Sequence, residues 1–374
     1  MRYLAKKITI IALCIFLLFQ TGCWDQKIYE DIGFILQMGL ELDKEKKLLY
    51  TVSVPVVAPD IEKKVEILST SKNLLRESRE TLRRVSGRNI EGGKTQHIYF
   101  SRELAERGTD ELLEIFMRSP ENPLLANVIV VDGSPKEMME FSADFKDKPR
   151  PALYINDLLE NTRQNSFIPE TRVYDFLICQ NAKTTDPVTP LFRYSKKEVQ
   201  AAGSALFSGD RMVGELDEAE TGLLHALMAT KRKVQYIYKE QDTQENPNKI
   251  KKGAAILLKK IKRKVKIDIE NGIPKIVIKL NLKASLDEYD EEHNLDDLES
   301  KRKLEKAVAL SIKEDCTKLL EKIQKTGSDP LGFSEMIRVK HNKYWKSVQW
   351  KEIYSQVSFN VEAELMFEFY GAIS

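Results

Sequence analysis

Between Lys260 and Ala284 the chain alternates so regularly that few local structures suit it. Ile261, Val265, Ile267 and Ile269 alternate with Lys260, Lys262, Lys264 and Lys266. After Asn271-Gly272, Ile276, Ile278, Leu280 and Leu282 alternate with Lys275, Lys279 and Lys283. Successive side chains of a strand point to opposite faces. Asn-Gly supplies the positive φ angles of a two-residue hairpin turn. The spacing therefore predicts a hairpin with one apolar and one lysine-rich face. A long helix is predicted next, from about Asp296 to Gln324. Its stripe is Leu304, Val308, Ile312, Cys316, Leu319, Leu320 and Ile323, spaced by threes and fours. Gly327 ends it, and Val357–Phe369 alternates as a last strand.

Upstream, Phe34-Ile35-Leu36 and Leu48–Val54 read as two strands around the charged turn Asp43–Lys47. Ser69–Val85 reads as a helix, with Leu74, Leu75, Ser78, Leu82 and Val85 on one side. Short buried strands are expected at His97–Phe100 and Ala126–Val131. Helices are expected around Ser101–Arg107, Thr109–Met117, Pro135–Phe141, Pro151–Asn161 and Thr171–Ile178. Asp186–Lys197, with two prolines, reads as a linker or extended crossing. A second half begins near Val199, with a hairpin turning at Ser208-Gly209-Asp210. A helix follows, capped by Asp217 and Glu220 in a capping-box pattern and running to Met228. Glu240–Asn248 is read as a loop. Strands and helices mix without strict alternation, so the fold class is α+β rather than a doubly wound sheet.

At 374 residues the chain is long enough for two or three domains. Its 59 Lys and Arg against 57 Asp and Glu give a formal charge of +2, without the basic excess of a nucleic-acid binder. Four His and four Cys, well separated, argue against a metalloenzyme. His97, His225, His293 and His341 stand outside any zinc-ligand spacing. There is no Gly-x-Ser-x-Gly elbow. Gly87–Thr95 approaches a phosphate loop but puts Gly93 where the lysine belongs, in helix-to-strand order. A turn explains it better. The acidic run Asp287–Glu299 lacks the glycine of a calcium loop. Lys249–Lys266 holds nine cations and no acid. A solvated strand face, or neutralisation by that acidic run, outweighs contact with anionic lipid. No catalytic constellation and no cofactor motif emerges.

The N-terminus has a different character. Arg2, Lys6 and Lys7 precede Ile8–Phe19, an apolar run of 12 residues, too short to span a bilayer but fitting a secretory signal. Gln20-Thr21-Gly22-Cys23 follows and resembles a bacterial lipobox, whose cysteine is acylated and becomes the mature N-terminus. Residues 1–22 are then a signal peptide. Its removal takes three cations and no acid, changing the formal charge from +2 to −1. Cys23 is the expected lipidation site, as an S-diacylglycerol, N-palmitoyl cysteine; two or more chains anchor firmly where one does not. Cys179 and Cys316 remain and are expected as buried thiols.

Four stretches in order resemble the Ger(x)C family, the C-subunit lipoproteins of bacterial spore germinant receptors. They are Gly22-Cys23-Trp24-Asp25; Gly93–Ala105 with Gly108; Gly203–Phe207 with Met212–Leu216 and Glu220; and Asp329–Phe333 with Trp345, Trp350 and a strand ending at Gly371. The resemblance implies an elongated, multi-domain mixed body, with germination-protein domains at 23–198 and 199–374. It implies a non-enzymatic subunit, lipid-anchored on the outer face of the spore inner membrane. Its partners would be A-type and B-type integral membrane subunits, in a receptor that answers small nutrients. Trp345 and Trp350 are expected in the core rather than at a ligand. A solute-binding lipoprotein of a transporter is the alternative, and it would show two similar α/β lobes around a cleft.

Overall fold

A computed structural model describes residues 2–4, 6–8, 10, 31–56, 63–118, 122–239, 253–289 and 297–368. The first half contains β1 (Ile32–Phe34), β2 (Gln37–Leu42), β3 (Leu48–Pro55), β4 (Val65–Lys72), α1 (Leu75–Val85), β5 (Asn89–Glu91) and β6 (His97–Ser101). Next come α2 (Arg102–Arg107), α3 (Asp110–Met117), β7 (Asn127–Val131), α4 (Pro135–Ala143), α5 (Pro151–Gln164), α6 (Val173–Ala182) and β8 (Val188–Tyr194). The second half adds β9 (Val199–Ser208), β10 (Arg211–Leu216), α7 (Glu218–Met228), β11 (Val234–Lys239), β12 (Gly253–Glu270) and β13 (Ile273–Tyr289). It closes with α8 (Leu298–Thr326), α9 (Phe333–Lys340), α10 (Asn342–Trp345), α11 (Trp350–Tyr354) and β14 (Ser358–Phe367).

Eight strands form one sheet in the order β10-β9-β8-β7-β6-β2-β3-β4, the central β8-β7-β6-β2 parallel and the outer pairs antiparallel. Neighbouring side chains of β6 and β7 fill two cores. Ile98, Phe100, Val128 and Val130 pack with Leu75 and Leu82 of α1, Phe116 of α3 and Phe176 of α6. Tyr99, Ile129 and Val131 pack with Met138 and Met139 of α4 and Ile155 and Leu159 of α5. Both faces being covered, these strands are nearly continuous apolar runs.

The second sheet, β11-β12-β13-β14, is covered by helices on one face. Its hairpin turns at Asn271-Gly272 as expected, although the strands extend beyond 260 and 284 at both ends. Ile276, Ile278, Leu280 and Leu282 pack against Val308, Ile312, Cys316, Leu319 and Ile323 of α8, while Lys260, Lys262, Lys264 and Lys266 are exposed. Arg263 interrupts the apolar face, where it donates to the Leu227 carbonyl at 2.9 Å. Asp217 and Glu220 form the expected capping box on α7, at 2.8 and 3.0 Å.

Three readings need correcting. The strand that pairs with Leu48–Pro55 is Gln37–Leu42 rather than 34–36, of which only Phe34 is in a strand, β1. Val65–Lys72 is an edge strand paired to β3, so the helix starts only at Leu75, and Leu74 and Val85 are exposed. Ladder hydrogen bonds outweighed an accidental helical period there. Asp186–Lys197 contains β8, an interior strand, whose Pro190 sits at a register shift against β9; bulges are where a sheet tolerates proline. β9 and β10 carry the first sheet across residue 198 to Leu216. The two halves are thus built differently, one sheet layered on both faces and the other on one.

Candidate functional site

The family-like stretches that lie within the described residues converge on the junction of the halves. Asp329 is almost fully buried and accepts from the amides of Phe333 at 2.9 Å and Ser334 at 2.8 Å, capping α9. Its own amide donates to Asp186 Oδ2 at 2.7 Å, while the Asp186 amide donates back to the Asp329 carbonyl at 3.1 Å. Asp186 Oδ1 accepts from Gly209 N, at the β9–β10 turn, at 2.8 Å. Ser328 donates to the Phe207 carbonyl at 2.6 Å, and Ser334 to the Thr184 carbonyl at 2.5 Å. This clasp ties the segment leading into β8, the β9–β10 turn and the start of α9 together. Burial pushes the Asp329 carboxyl up to about 6, against the pull of the two amides.

Other matched stretches serve the same joint. Thr109 donates through N at 3.1 Å and Oγ1 at 3.0 Å to the Asp210 carbonyl. Arg102 reaches Asp132 at 2.7 Å and also Glu215, and Arg193 reaches the same two acids at 3.1 and 3.2 Å. Gly203 has φ +108°, and a Cβ there would lie 2.1 Å from the Leu216 carbonyl oxygen. Only glycine fits this bulge.

Beside the clasp lies a cavity of about 620 Å³. Asp110, Gln180, Asp186, Asp210 and Asp329 line it, together with Trp345, Trp350 and Tyr354. The two tryptophans do pack against the second core, yet they are half-buried rather than enclosed, because one side faces this space. Sequence reasoning missed Asp186, Gln180 and Tyr354. Asp186 lies in the stretch read as a linker, and no spacing signal marks the other two.

The remaining candidate residues scatter. Cys23, with the whole lipobox, lies outside the described residues, as do His293, the Glu240–Asn248 loop and most of the acidic run. Gly87–Thr95 contains β5 and a turn in which Thr95 Oγ1 donates to the Gly92 carbonyl at 2.7 Å. His97 is buried, with Nε2 bonded to Asn156 Oδ1 at 2.8 Å. Asn156 in turn donates to Gln96 Oε1, so Nε2 carries the proton. His225 bonds the Ile168 carbonyl at 3.2 Å, and His341 the Ile267 carbonyl at 3.3 Å. Burial pushes His97 and His225 down to about 4. Among the described residues no three His, Cys, Asp or Glu side chains are placed to hold a metal. Cys316 is buried, Cys179 half-buried, and both are free.

Comparison with known proteins gives this architecture a class. Residues 25–194 match the spore germination protein N-terminal domain, and residues 202–367 the spore germination B3/GerAC-like C-terminal domain. The arrangement is that of a two-domain spore germination protein, the first match ending with β8 and the second beginning within β9. Spore germination protein GerQC of Bacillus cereus is 25% identical over 358 residues, 95% of this chain and 96% of that protein. Spore germination protein B3 of Bacillus subtilis is 23% identical over 382 residues, 97% and 96% of the two chains. The crystal structure of the GerBC protein shares the fold, with a TM-score of 0.56 at 19% identity, covering 88% of this chain and 96% of that one. The chain belongs to the Ger(x)C family, the germinant-receptor C subunits, and is not an enzyme.

Proposed function

We propose that this protein is a lipid-anchored subunit of a nutrient germinant receptor, needed for receptor assembly or for the signal that triggers germination. The observation that carries the reading is family membership across both halves, over residues 25–194 and 202–367. The apolar run Ile8–Phe19 ending at Gly22-Cys23 supports export and acylation at Cys23, which would hold the body on the outer face of the spore inner membrane. An A-type and a B-type integral membrane subunit are the partners. The clasp around Asp186 and Asp329 supports a body whose halves move together, suited to passing a displacement between partners.

Two experiments test this. Cys23→Ala is expected to move the protein from the membrane to the soluble fraction after a salt wash. Unchanged fractionation would contradict the anchor. Detergent extraction of spore membranes carrying a tagged chain is expected to co-purify both membrane subunits, and recovery of the tagged chain alone would contradict assembly.

A further inference from the structure

The parallel strands β2, β6 and β7 start at one end of the first sheet, where Gln37, His97 and Asn127 stand side by side. The chain enters the body at this end, through Asp31 and β1, eight residues after Cys23. Eight residues reach at most about 28 Å. An anchor at Cys23 therefore holds the strand-start end close to the lipid. The same end carries an uncovered apolar surface. Leu125 is 70% exposed, Tyr174 55% and Ile178 48%. The Tyr174 amide donates to the Leu124 carbonyl at 3.0 Å, and Ile178 stands one turn further along α6. The loop before β7 and the outer side of α6 thus form one surface. α6 buries Val173, Phe176 and Leu177 on its inner side and is apolar on its outer side too. A helix apolar all round is normally covered all round. Contiguous exposed apolar surface marks contact with a protein or a membrane. Cations share this end. Lys94 lies in the turn leading into β6, and Lys231 and Lys233 precede β11. The Lys233 carbonyl accepts from Ser166, three residues past Arg163, which bonds Asn127 Oδ1 at 2.5 Å. These three lysines are exposed and make no ion pair among the described residues.

We propose that this end of the sheet is a docking face for an anionic bilayer. Leu124, Leu125, Tyr174 and Ile178 seat in the interfacial layer, while Lys94, Lys231 and Lys233 meet the phosphate headgroups. Aliphatic side chains with a tyrosine suit that layer, and binding there adds apolar burial to attraction by anionic lipid. Each lysine near such a surface favours the seated state by about fivefold. A protein partner would account for the apolar surface alone. The short tether from Cys23 and the unpaired lysines favour lipid. The inference rests on the lipid-anchor reading and adds to it which face of the body the anchor presents.

The test places a nitroxide at Leu125→Cys or at Ile178→Cys. Lys44→Cys, in the exposed β2–β3 turn at the opposite end of the strands, is the control. All three are made in the full chain carrying Cys179→Ser, with Cys316 buried. Because these sites are exposed, folding should be retained, and thermal melts check each variant. The chain, extracted from membranes of the cells that make it, is reconstituted into phosphatidylcholine vesicles with or without phosphatidylglycerol. Flotation reports the anchor, and accessibility to oxygen against a water-soluble nickel chelate reports depth. With phosphatidylglycerol the chain should float, and both apolar sites should be protected from the chelate at least about tenfold relative to Lys44→Cys. Phosphatidylcholine alone, or about 1 M salt, should reduce that protection several-fold. Apolar sites open to the chelate in a chain that floats would overturn the docking face and leave the anchor standing. A chain that does not float would contradict both. Equal protection with and without phosphatidylglycerol would overturn the part given to the lysines. Protection in spore membranes but not in vesicles would overturn the lipid assignment in favour of a protein partner.

Discussion

The eight-stranded sheet is covered on both faces and the four-stranded sheet on one, and their chemistry differs accordingly. In the first, the strands carry polar groups inward, and part of them find partners there. Gln37 donates to Tyr99 at 2.8 Å and His97 Nε2 is bonded to Asn156, while at the half-exposed margin Arg102 and Arg193 share Asp132 and Glu215. In the second, the lysines of the hairpin stand in water, where Lys279 pairs with Glu364 at 2.6 Å and Lys266 with Asp268 at 2.8 Å. The difference teaches that geometry and titration are constrained at the first sheet and its joint, while the outer face of the second tolerates change.

The sharpest way to break that contrast is at glycine. Gly203→Ala drives a methyl group into the Leu216 carbonyl and should cost about 3–5 kcal/mol. The same change at Gly272, φ +79° with nothing within 4 Å, should cost only about 1 kcal/mol. Urea unfolding of both variants checks the pair, and equal losses would erase the distinction. Next comes the clasp. Asp329→Ala strips the amides of Phe333 and Ser334 of their acceptor in a buried site and should cost about 2–3 kcal/mol in the same measurement.

The pH response should be comparable in size to the loss at Asp329 and should be set by buried histidines. His97 and His225, lowered to about 4 from 6.5, bind protons in the unfolded chain before they do so in the folded one. Stability should therefore be full above pH 6.5 and fall towards pH 4, by about 1.4 kcal/mol per pH unit for each histidine. Asp329, raised from 3.8 to about 6, contributes the opposite sign between those values and offsets part of the loss. Urea midpoints between pH 7 and 5 should drop, and His225→Gln should flatten the drop. A flat wild-type profile would contradict the burial argument. The smallest effect belongs to the open face. Lys262→Gln or Lys264→Gln should change stability by less than about 0.5 kcal/mol.

What could be read from the sequence follows the same divide. The hairpin, α8 and the α7 capping box were legible because a sheet wet on one face writes its orientation as alternation. β8 and β4 were not. Pro190 in a bulge and the half-exposed, polar Ser69–Lys72 imitate linker and helix, and only pairing with distant strands makes them a sheet. Asp329 was visible as part of a family-like stretch, but its partner Asp186 lies 143 residues away, and no local pattern encodes that contact. Tyr354 and Gln180 likewise gain meaning only from the cavity that they border.

The central claim is that this chain serves a nutrient germinant receptor. Nutrient-triggered germination of spores lacking the gene, followed as loss of optical density, tests it most directly, with calcium–dipicolinate as the control trigger. The account predicts failure with at least one nutrient and a normal response to calcium–dipicolinate, restored by the intact gene. Normal germination with every nutrient, in spores stripped of parallel receptors, would contradict it.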